Sequence, residues 1–221
     1  MHIGLILDGN RRYARERGLP TFTGHLKGFN KVHKLLDWVK ELGIKEVSMY
    51  CFSIQNFNRS ESEKKYLFNL FRKEAKRLLK DKKIHQDKMK IRFAGRLEMF
   101  PKDMQELMQE VMEKTKDYDN YIVNYALGYG GREEIVDSVK KIVAENGKVS
   151  EASIQANLWV PENMDIAIRT SGEFRTSNFF PWQAHYAEWF FLNKYWPEFE
   201  KEDLVRILEE YNNKRKRRFG K

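Results

Sequence analysis

Short apolar runs recur along this chain, and between them apolar residues step at three- and four-residue intervals. Residues 2–8 (HIGLILD), 44–52, 89–94, 121–127, 164–170 (MDIAIRT) and 188–192 (EWFFL) are the runs. A strand buried on both faces reads as such a run, because both of its side-chain rows need apolar groups. Helical stripes separate them. Leu26, Phe29, Val32, Leu36 and Val39 form one within 24–42. Leu67, Leu70, Phe71, Leu78 and Leu79 form another, on a long basic helix opened by the capping pair Ser60 and Glu63. Pro101 opens a third, Ile135 to Val143 mark a fourth, and Leu204, Ile207, Leu208 and Tyr211 stripe the last. Strand–helix alternation of this kind predicts an α/β fold with a mostly parallel central sheet and helices on both faces. No linker, repeat or low-complexity stretch divides the chain, so residues 1–221 are expected to form one domain.

Ligands of such sheets bind beyond the carboxyl ends of the strands, so those positions carry the functional expectations. The first run ends in Asp8-Gly9-Asn10-Arg11-Arg12-Tyr13. Asp-Gly alone is a turn signal. Helix formers follow it here, and a glycine loop entering a helix offers backbone N–H groups to a phosphate. Arg11 and Arg12 add charge-assisted donors. A lone carboxylate in that company makes sense if Asp8 holds a Mg²⁺ that bridges to phosphate oxygens. After the second run comes Ser53-Ile54-Gln55-Asn56-Phe57-Asn58-Arg59, a loop crowded with hydroxyl, amide and guanidinium groups. After the fifth comes Arg169-Thr170-Ser171-Gly172-Glu173-Phe174-Arg175-Thr176-Ser177-Asn178, with two arginines six apart and hydroxyls between them. Two basic loops on one sheet make a pair of diphosphate clamps. Glu188 opens the last strand, either as a solvent-facing strand start or as a second metal ligand.

Charge agrees with phosphate-rich partners. There are 41 Lys and Arg against 32 Asp and Glu, a net charge of +9. A nucleic-acid groove is the competing reading, from the basic stretch 72–92 and the tail 214–218, but it gains nothing from Asp8 and Glu188 beside its arginines, so no nucleic-acid partner is expected. The single cysteine, Cys51, fits a reducing compartment, and no apolar run approaches a membrane span. A cytoplasmic protein with room for peripheral contact at a membrane surface is expected. GxxxxGK[ST], HExxH, GxSxG and DDxxD motifs are all absent from the sequence.

DGNRRYA at 8–14, SIQNFNR at 53–59 and RTSGEFRTSNFFPWQ at 169–183 together resemble the cis-prenyltransferase family. The likeness runs from His2 to Gly220 and includes Gly24-His25, Tyr129–Arg132 (YGGR), Tyr186–Glu188 (YAE), Trp196-Pro197 and the closing Arg218-Phe219-Gly220. It implies repeated addition of isopentenyl diphosphate to an allylic prenyl diphosphate with formation of cis double bonds, Mg²⁺ as cofactor, a hydrophobic tunnel, a homodimer, and a long-chain product that partitions to membrane. On matching positions it implies that Asp8 is the essential carboxylate and metal ligand, with Glu188 as the second. Gly9, Asn10, Arg11, Arg12 and His25 would bind the allylic diphosphate, with Tyr13 beside them. Ser53, Asn56, Phe57 and Arg59 would line the catalytic loop, Asn56 at the step that removes a proton. Arg169, Arg175, Thr176 and Ser177 would hold isopentenyl diphosphate, and Arg218 would reach the diphosphate site of the other subunit. Cys51 and Tyr121 are placed along the tunnel. Thr21 stands where many members carry arginine, Gln55 where many carry glutamate, and Gly128 where many carry asparagine. Some relatives are non-catalytic subunits that lack the DGN aspartate; this chain keeps both Asp8 and the RxG ending.

Overall fold

The computed structural model describes residues 1–215. Arg218 and the rest of the expected RxG ending lie outside the described residues. Six strands form one sheet, all parallel, in the order β3-β4-β2-β1-β5-β6. They are β1 (His2–Ile6), β2 (Glu46–Ser53), β3 (Met89–Ala94), β4 (Tyr121–Tyr129), β5 (Ile166–Arg169) and β6 (Glu188–Phe191). Each of the expected runs is a strand, and all five residues of β1 are buried.

Helices and loops cover both faces, as the two-sided apolar runs require. On one face Ile3 and Leu5 of β1 pack with Val32, Leu35 and Val39 of α2 (Thr21–Glu41), Leu67 and Leu70 of α3 (Glu61–Lys80), Met104 and Met108 of α5 (Lys102–Thr115), and Leu204 and Ile207 of α8 (Lys201–Glu210). On the other face Ile6, Ala126 and Ala167 meet Val160, Met164, Phe179 and Phe180. Gly4 is part of this tight fit: a Cβ there would lie 2.3 Å from Met164 Sδ. Truncating a fully buried leucine such as Leu35 to alanine would cost about 2–5 kcal/mol.

Four helices are short or late: α1 (Asn10–Glu16), α4 (Lys82–Gln86), α6 (Gly131–Ala144) and α7 (Glu151–Asn157). The α1 helix starts directly after Gly9, so the DGN turn is a helix entry. α7 has no buried residue, and its sequence, EASIQAN, carries no apolar stripe to betray it.

The strand order reverses direction beside β1. From β1 the chain moves out through β2 towards β4 and β3, then crosses back to lay β5 and β6 on β1's other side. The loops leaving β1 and β5 therefore part above adjacent strands and open a crevice there, the place where parallel sheets bind ligands.

Candidate active site

The crevice is real and deep. A cavity of about 1140 Å³ begins over the carboxyl ends of β1, β2 and β5 and runs between α2, α3 and the sheet. Its mouth is polar: Asp8, Gly9, Asn10, Arg11, Arg12, Arg15, Thr21, His25, Ser53, Gln55, Asn56, Arg59, Ser177 and Asn178 line it. Its interior is apolar, walled by Phe29, Val32, Leu67, Leu70, Phe71, Phe93 and Leu127, with Cys51 among them. Burial pushes the Cys51 thiol up to about 12, so this cysteine is a small apolar wall group and not a nucleophile.

Asp8 sits at the centre of the mouth. Its Oδ1 accepts from the Gly9 N–H at 2.7 Å, and its Oδ2 accepts from Arg169 Nη2 at 2.9 Å with Arg12 Nη2 3.5 Å away. The backbone is pinned as well: the Asp8 carbonyl accepts from Thr170 Oγ1 at 2.7 Å and from the Trp196 N–H at 3.0 Å. Burial would raise the Asp8 carboxyl, but the Arg169 hydrogen bond and charge and the Gly9 N–H outweigh it and hold the group below the usual carboxylate range. It is therefore ionised at neutral pH, while its side chain stays 34% exposed. Gly9 has φ 103°, a left-handed conformation, and a Cβ there would lie 2.6 Å from the Tyr195 ring. Only glycine makes this turn at no cost.

Arg169 belongs to β5, is 3% exposed, and spends its donors inward. Nη1 donates to Ser177 Oγ at 2.6 Å and to the Arg175 carbonyl at 2.5 Å. Arg12 donates to Ser171 Oγ at 2.6 Å and to Glu173 Oε1 at 2.9 Å. The loop that supplies these partners is strained: Ser171, Ser177, Asn178 and Phe180 all have positive φ. Non-glycine residues in that region cluster at ligand sites, where the surrounding structure over-determines them. Two buried polar atoms of the mouth, Asn10 Oδ1 and Arg169 Nε, have no partner among the described residues. Such orphans are rare; the other two among the described residues, Asn124 Oδ1 and Gln183 Oε1, lie away from the mouth.

His25 and Arg59 come from the opposite wall and share one carboxylate. Glu63 Oε1 lies 3.0 Å from His25 Nε2 and accepts from Arg59 Nη1 at 3.1 Å. Burial lowers the His25 pKa, against the pull of Glu63. The Ser53–Arg59 loop is a 3-10 turn, Ile54–Asn58, in which Asn56 Oδ1 accepts from the Ser53 N–H at 3.0 Å. That bond fixes the amide of Asn56 where it faces the cavity.

Several expected residues lie elsewhere. Tyr13 stacks under Arg17 at 4.1 Å, outside the cavity lining. Phe57 packs into a ring cluster with Phe52, Phe68 and Phe100. Arg175 and Thr176 are exposed in the loop after β5, Arg175 paired with Glu173. Tyr121 opens β4 at the end of the sheet away from the mouth and is not part of the tunnel wall. Glu188 also starts its strand: it pairs with Ile166, which pairs with Ile3, at the amino end of the sheet. Five residues of strand rise put it roughly 16 Å from Asp8 along the strand direction. One chain does not bring these two carboxylates together. Among the described residues no group of three His, Cys, Asp or Glu side chains converges as a metal site. The arginines of the basic stretch 72–92 are paired, Arg77 within it to Glu74 and Asp81, Arg72 and Arg92 outside it to Asp103 and Glu162, which leaves them committed to carboxylates. Not singled out in the sequence were Arg15 and Tyr50 at the mouth and Glu74 deep inside; Asn178 lies in the expected loop after β5 but had no role of its own.

A cationic mouth with one ionised carboxylate, opening into a long apolar pocket, defines a protein that handles a diphosphate carrying a hydrocarbon tail. Residues 6–220 match the family model described as putative undecaprenyl diphosphate synthase, and the chain belongs to that family, the cis-prenyltransferases. Over its whole length it is 44% identical to a tritrans,polycis-undecaprenyl-diphosphate synthase (geranylgeranyl-diphosphate specific) of Thermoplasma volcanium, covering 88% of that protein, and 42% identical to the protein of the same name from Pyrococcus abyssi, covering 86%. Two solved structures resemble it over the full chain and 98% of their own. One is a probable undecaprenyl diphosphate synthase from Campylobacter jejuni, at TM-score 0.84 and 30% identity. The other is lavandulyl diphosphate synthase from Lavandula x intermedia in complex with dimethylallyl diphosphate, at 0.90 and 31%. No helix among the described residues is long and apolar enough to cross a membrane.

Proposed function

We propose that this enzyme condenses isopentenyl diphosphate repeatedly onto an allylic prenyl diphosphate, with geranylgeranyl diphosphate as the starter named by its archaeal relatives. The observation that carries the reading is Asp8, ionised and held between Arg12 and Arg169, at the polar mouth of an otherwise apolar cavity. In each cycle the allylic C–O bond breaks and diphosphate leaves. A new C–C bond forms to isopentenyl diphosphate, which then loses a proton.

The residues divide the work. Asn10, Arg11, Arg12 and the N–H groups at the start of α1 cradle the allylic diphosphate, so that negative charge developing on the leaving group meets fixed donors. Arg169 and Ser177, with Arg175 and Thr176 swinging in from the exposed loop, hold the second diphosphate. Side-by-side binding turns a two-substrate encounter into a positioned one. Asn56, clamped on the Ser53 N–H, stands at the proton-loss step. The hydrocarbon tail lies along Phe29, Val32, Leu67 and Leu70 and excludes water from the reacting carbons.

The donor set fits Mg²⁺. That ion is usually held by one or two carboxylates with substrate phosphates and waters completing its shell, and both Asp8 oxygens keep lone pairs beyond the bonds described. When bound, Mg²⁺ supplies charge neutralisation and orientation to the diphosphate. Glu188 joins such a site only from a second copy of the chain. A homodimer is supported by the aromatic group beside β6, the last strand in the order, where the Trp189 and Phe191 rings stack, Phe174 packs on Phe191 while 79% exposed, and Tyr186 is exposed nearby. Exposed aromatic rings gathered at one place are a surface that folded proteins cover.

The test is incubation with labelled isopentenyl diphosphate and Mg²⁺, with each of the C10, C15 and C20 allylic diphosphates in turn. Multi-unit products, made fastest from the C20 starter, are expected. Absence of chain extension from every starter refutes the reading.

A further inference from the structure

The cavity ends abruptly, and it ends on charge. On α2 its lining stops at Val32, with Leu36 one turn on already in the packed core. On α3 it stops at Glu74, with Leu78 sealed beyond, and on β4 at Tyr125, with Val123 next on the same face. Three elements therefore close the pocket at one level, and the group they meet at is a carboxylate.

Glu74 is 4% exposed. Its Oε1 accepts from Tyr125 Oη at 3.0 Å and Arg77 Nη2 at 2.8 Å. Its Oε2 accepts from Arg77 Nε at 3.0 Å and lies 2.9 Å from His33 Nε2. Burial raises the carboxyl, but Arg77 and His33 more than reverse this and bring it to about 2. The floor of an oily pocket is thus an ionised, fully bonded cluster. An apolar floor would yield to a hydrocarbon by rotating side chains aside. This one yields only by parting Glu74 from the partly exposed Arg77, which strands a buried carboxylate away from water.

We propose that the Glu74–Arg77 pair, braced by His33 and Tyr125, is the stop that sets product length in this enzyme; the proposal rests on the chain-elongating function given above. Elongation adds each five-carbon unit at the diphosphate end, so the far end of the chain is driven down α3 towards Glu74. From Glu63 at the mouth to Glu74 is eleven residues, roughly 17 Å of helix rise. An extended chain runs out of apolar wall there. Later units coil in the space above until it is filled, and growth ends.

The experiment sizes the products of the wild type and two double variants, Glu74→Ala with Arg77→Ala and Glu74→Leu with Arg77→Leu, using labelled isopentenyl diphosphate and the C20 starter. Removing both partners strands neither of them; Asp81 loses Arg77 but is partly exposed, and Tyr125 Oη loses its acceptor in both variants alike, so the better-filled leucine variant carries the test if the alanine one does not fold. The expected result is a product distribution shifted upward by at least one five-carbon unit, more for alanine than for leucine. A folded, elongating variant with the wild-type distribution overturns the proposal while leaving the function intact. A wild type that makes no extended product overturns the function, and the proposal with it.

Discussion

The two ends of the parallel sheet both gather polar side chains, and they treat charge in opposite ways. At the carboxyl end Asp8 keeps its charge, because Arg169 and the Gly9 N–H compensate its burial and part of it meets solvent. At the amino end, beside the Arg92–Glu162 ion pair, burial wins at His2 and Glu46. His2, within 2.8 Å of Ser48 Oγ, is lowered to about 4 and stays neutral, and Glu46, which accepts from Asn124 Nδ2 at 2.7 Å, is raised to about 7. There the polar groups bond mainly to one another, although Asn124 Oδ1 has no partner among the described residues, and none of them lines the deep cavity. Polar clustering alone therefore does not mark a site. The functional end is the one where a carboxylate stays ionised at the mouth of a deep cavity, with one donor, Arg169 Nε, and one acceptor, Asn10 Oδ1, left without partners beside it.

The contrast breaks most sharply at Asp8. Asp8→Ala is expected to lower kcat/KM by at least ~10²-fold, on the order of 3 kcal/mol of barrier. The variant should still fold, with a lowered melting temperature, since Arg169 keeps Ser177 and the Arg175 carbonyl but loses its carboxylate partner. Near-normal turnover in the folded variant would leave the carboxyl end without its central group. At the amino end the expectation concerns stability. An acid with a raised pKa in the fold weakens the fold as pH climbs from the unfolded value, near 4.5, through the folded value of about 7. Burying ionised Glu46 costs about 3 kcal/mol, and Glu46→Gln should remove that loss. Denaturation of both proteins at pH 5 and pH 8 checks it: the variant gains on the wild type at pH 8, whereas parallel pH profiles would mean Glu46 ionises freely.

Two smaller effects sharpen the carboxyl end itself. Arg175→Lys keeps the charge and loses the planar fork, so KM for isopentenyl diphosphate should rise about tenfold, with a weaker effect on the allylic substrate. A rise confined to the allylic KM would mean the two diphosphate positions are exchanged. Mixing Asp8→Ala with Arg218→Ala under subunit exchange asks whether a second copy completes the site. Recovery to roughly a quarter of wild-type activity is expected, since half the dimers are mixed and each has one intact site. Verified exchange without recovery would place Arg218 in its own subunit's site.

Much of this architecture is legible in the sequence, for physical reasons. Two-sided burial turns each strand into an apolar run, and the rule that ligands sit past strand ends leads to Asp8, Arg12 and Arg169 before any contact is known. Strand direction also holds information about Glu188: a residue that opens a parallel strand lies at the end opposite one that follows a strand. The contact of His25 and Arg59 through Glu63 is not legible, because it joins helix faces 38 residues apart. Glu74 is hidden for a related reason. In sequence it reads as one more charged position on a basic helix, and only the fold turns it towards Tyr125 and an apolar pocket.

The central claim is that the diphosphate sits at the carboxyl end and the hydrocarbon runs inward along α3. An allylic diphosphate bearing a photoreactive diazirine at its far end tests this most directly, with the crosslinked residues mapped by peptide mass spectrometry. The account predicts labelling of the inner cavity wall, at Leu70, Phe71, Glu74 or Tyr125, suppressed by unlabelled geranylgeranyl diphosphate. Labelling at the amino end of the sheet, around His2, Glu46 and Arg92, or only on outward helix faces, would contradict it.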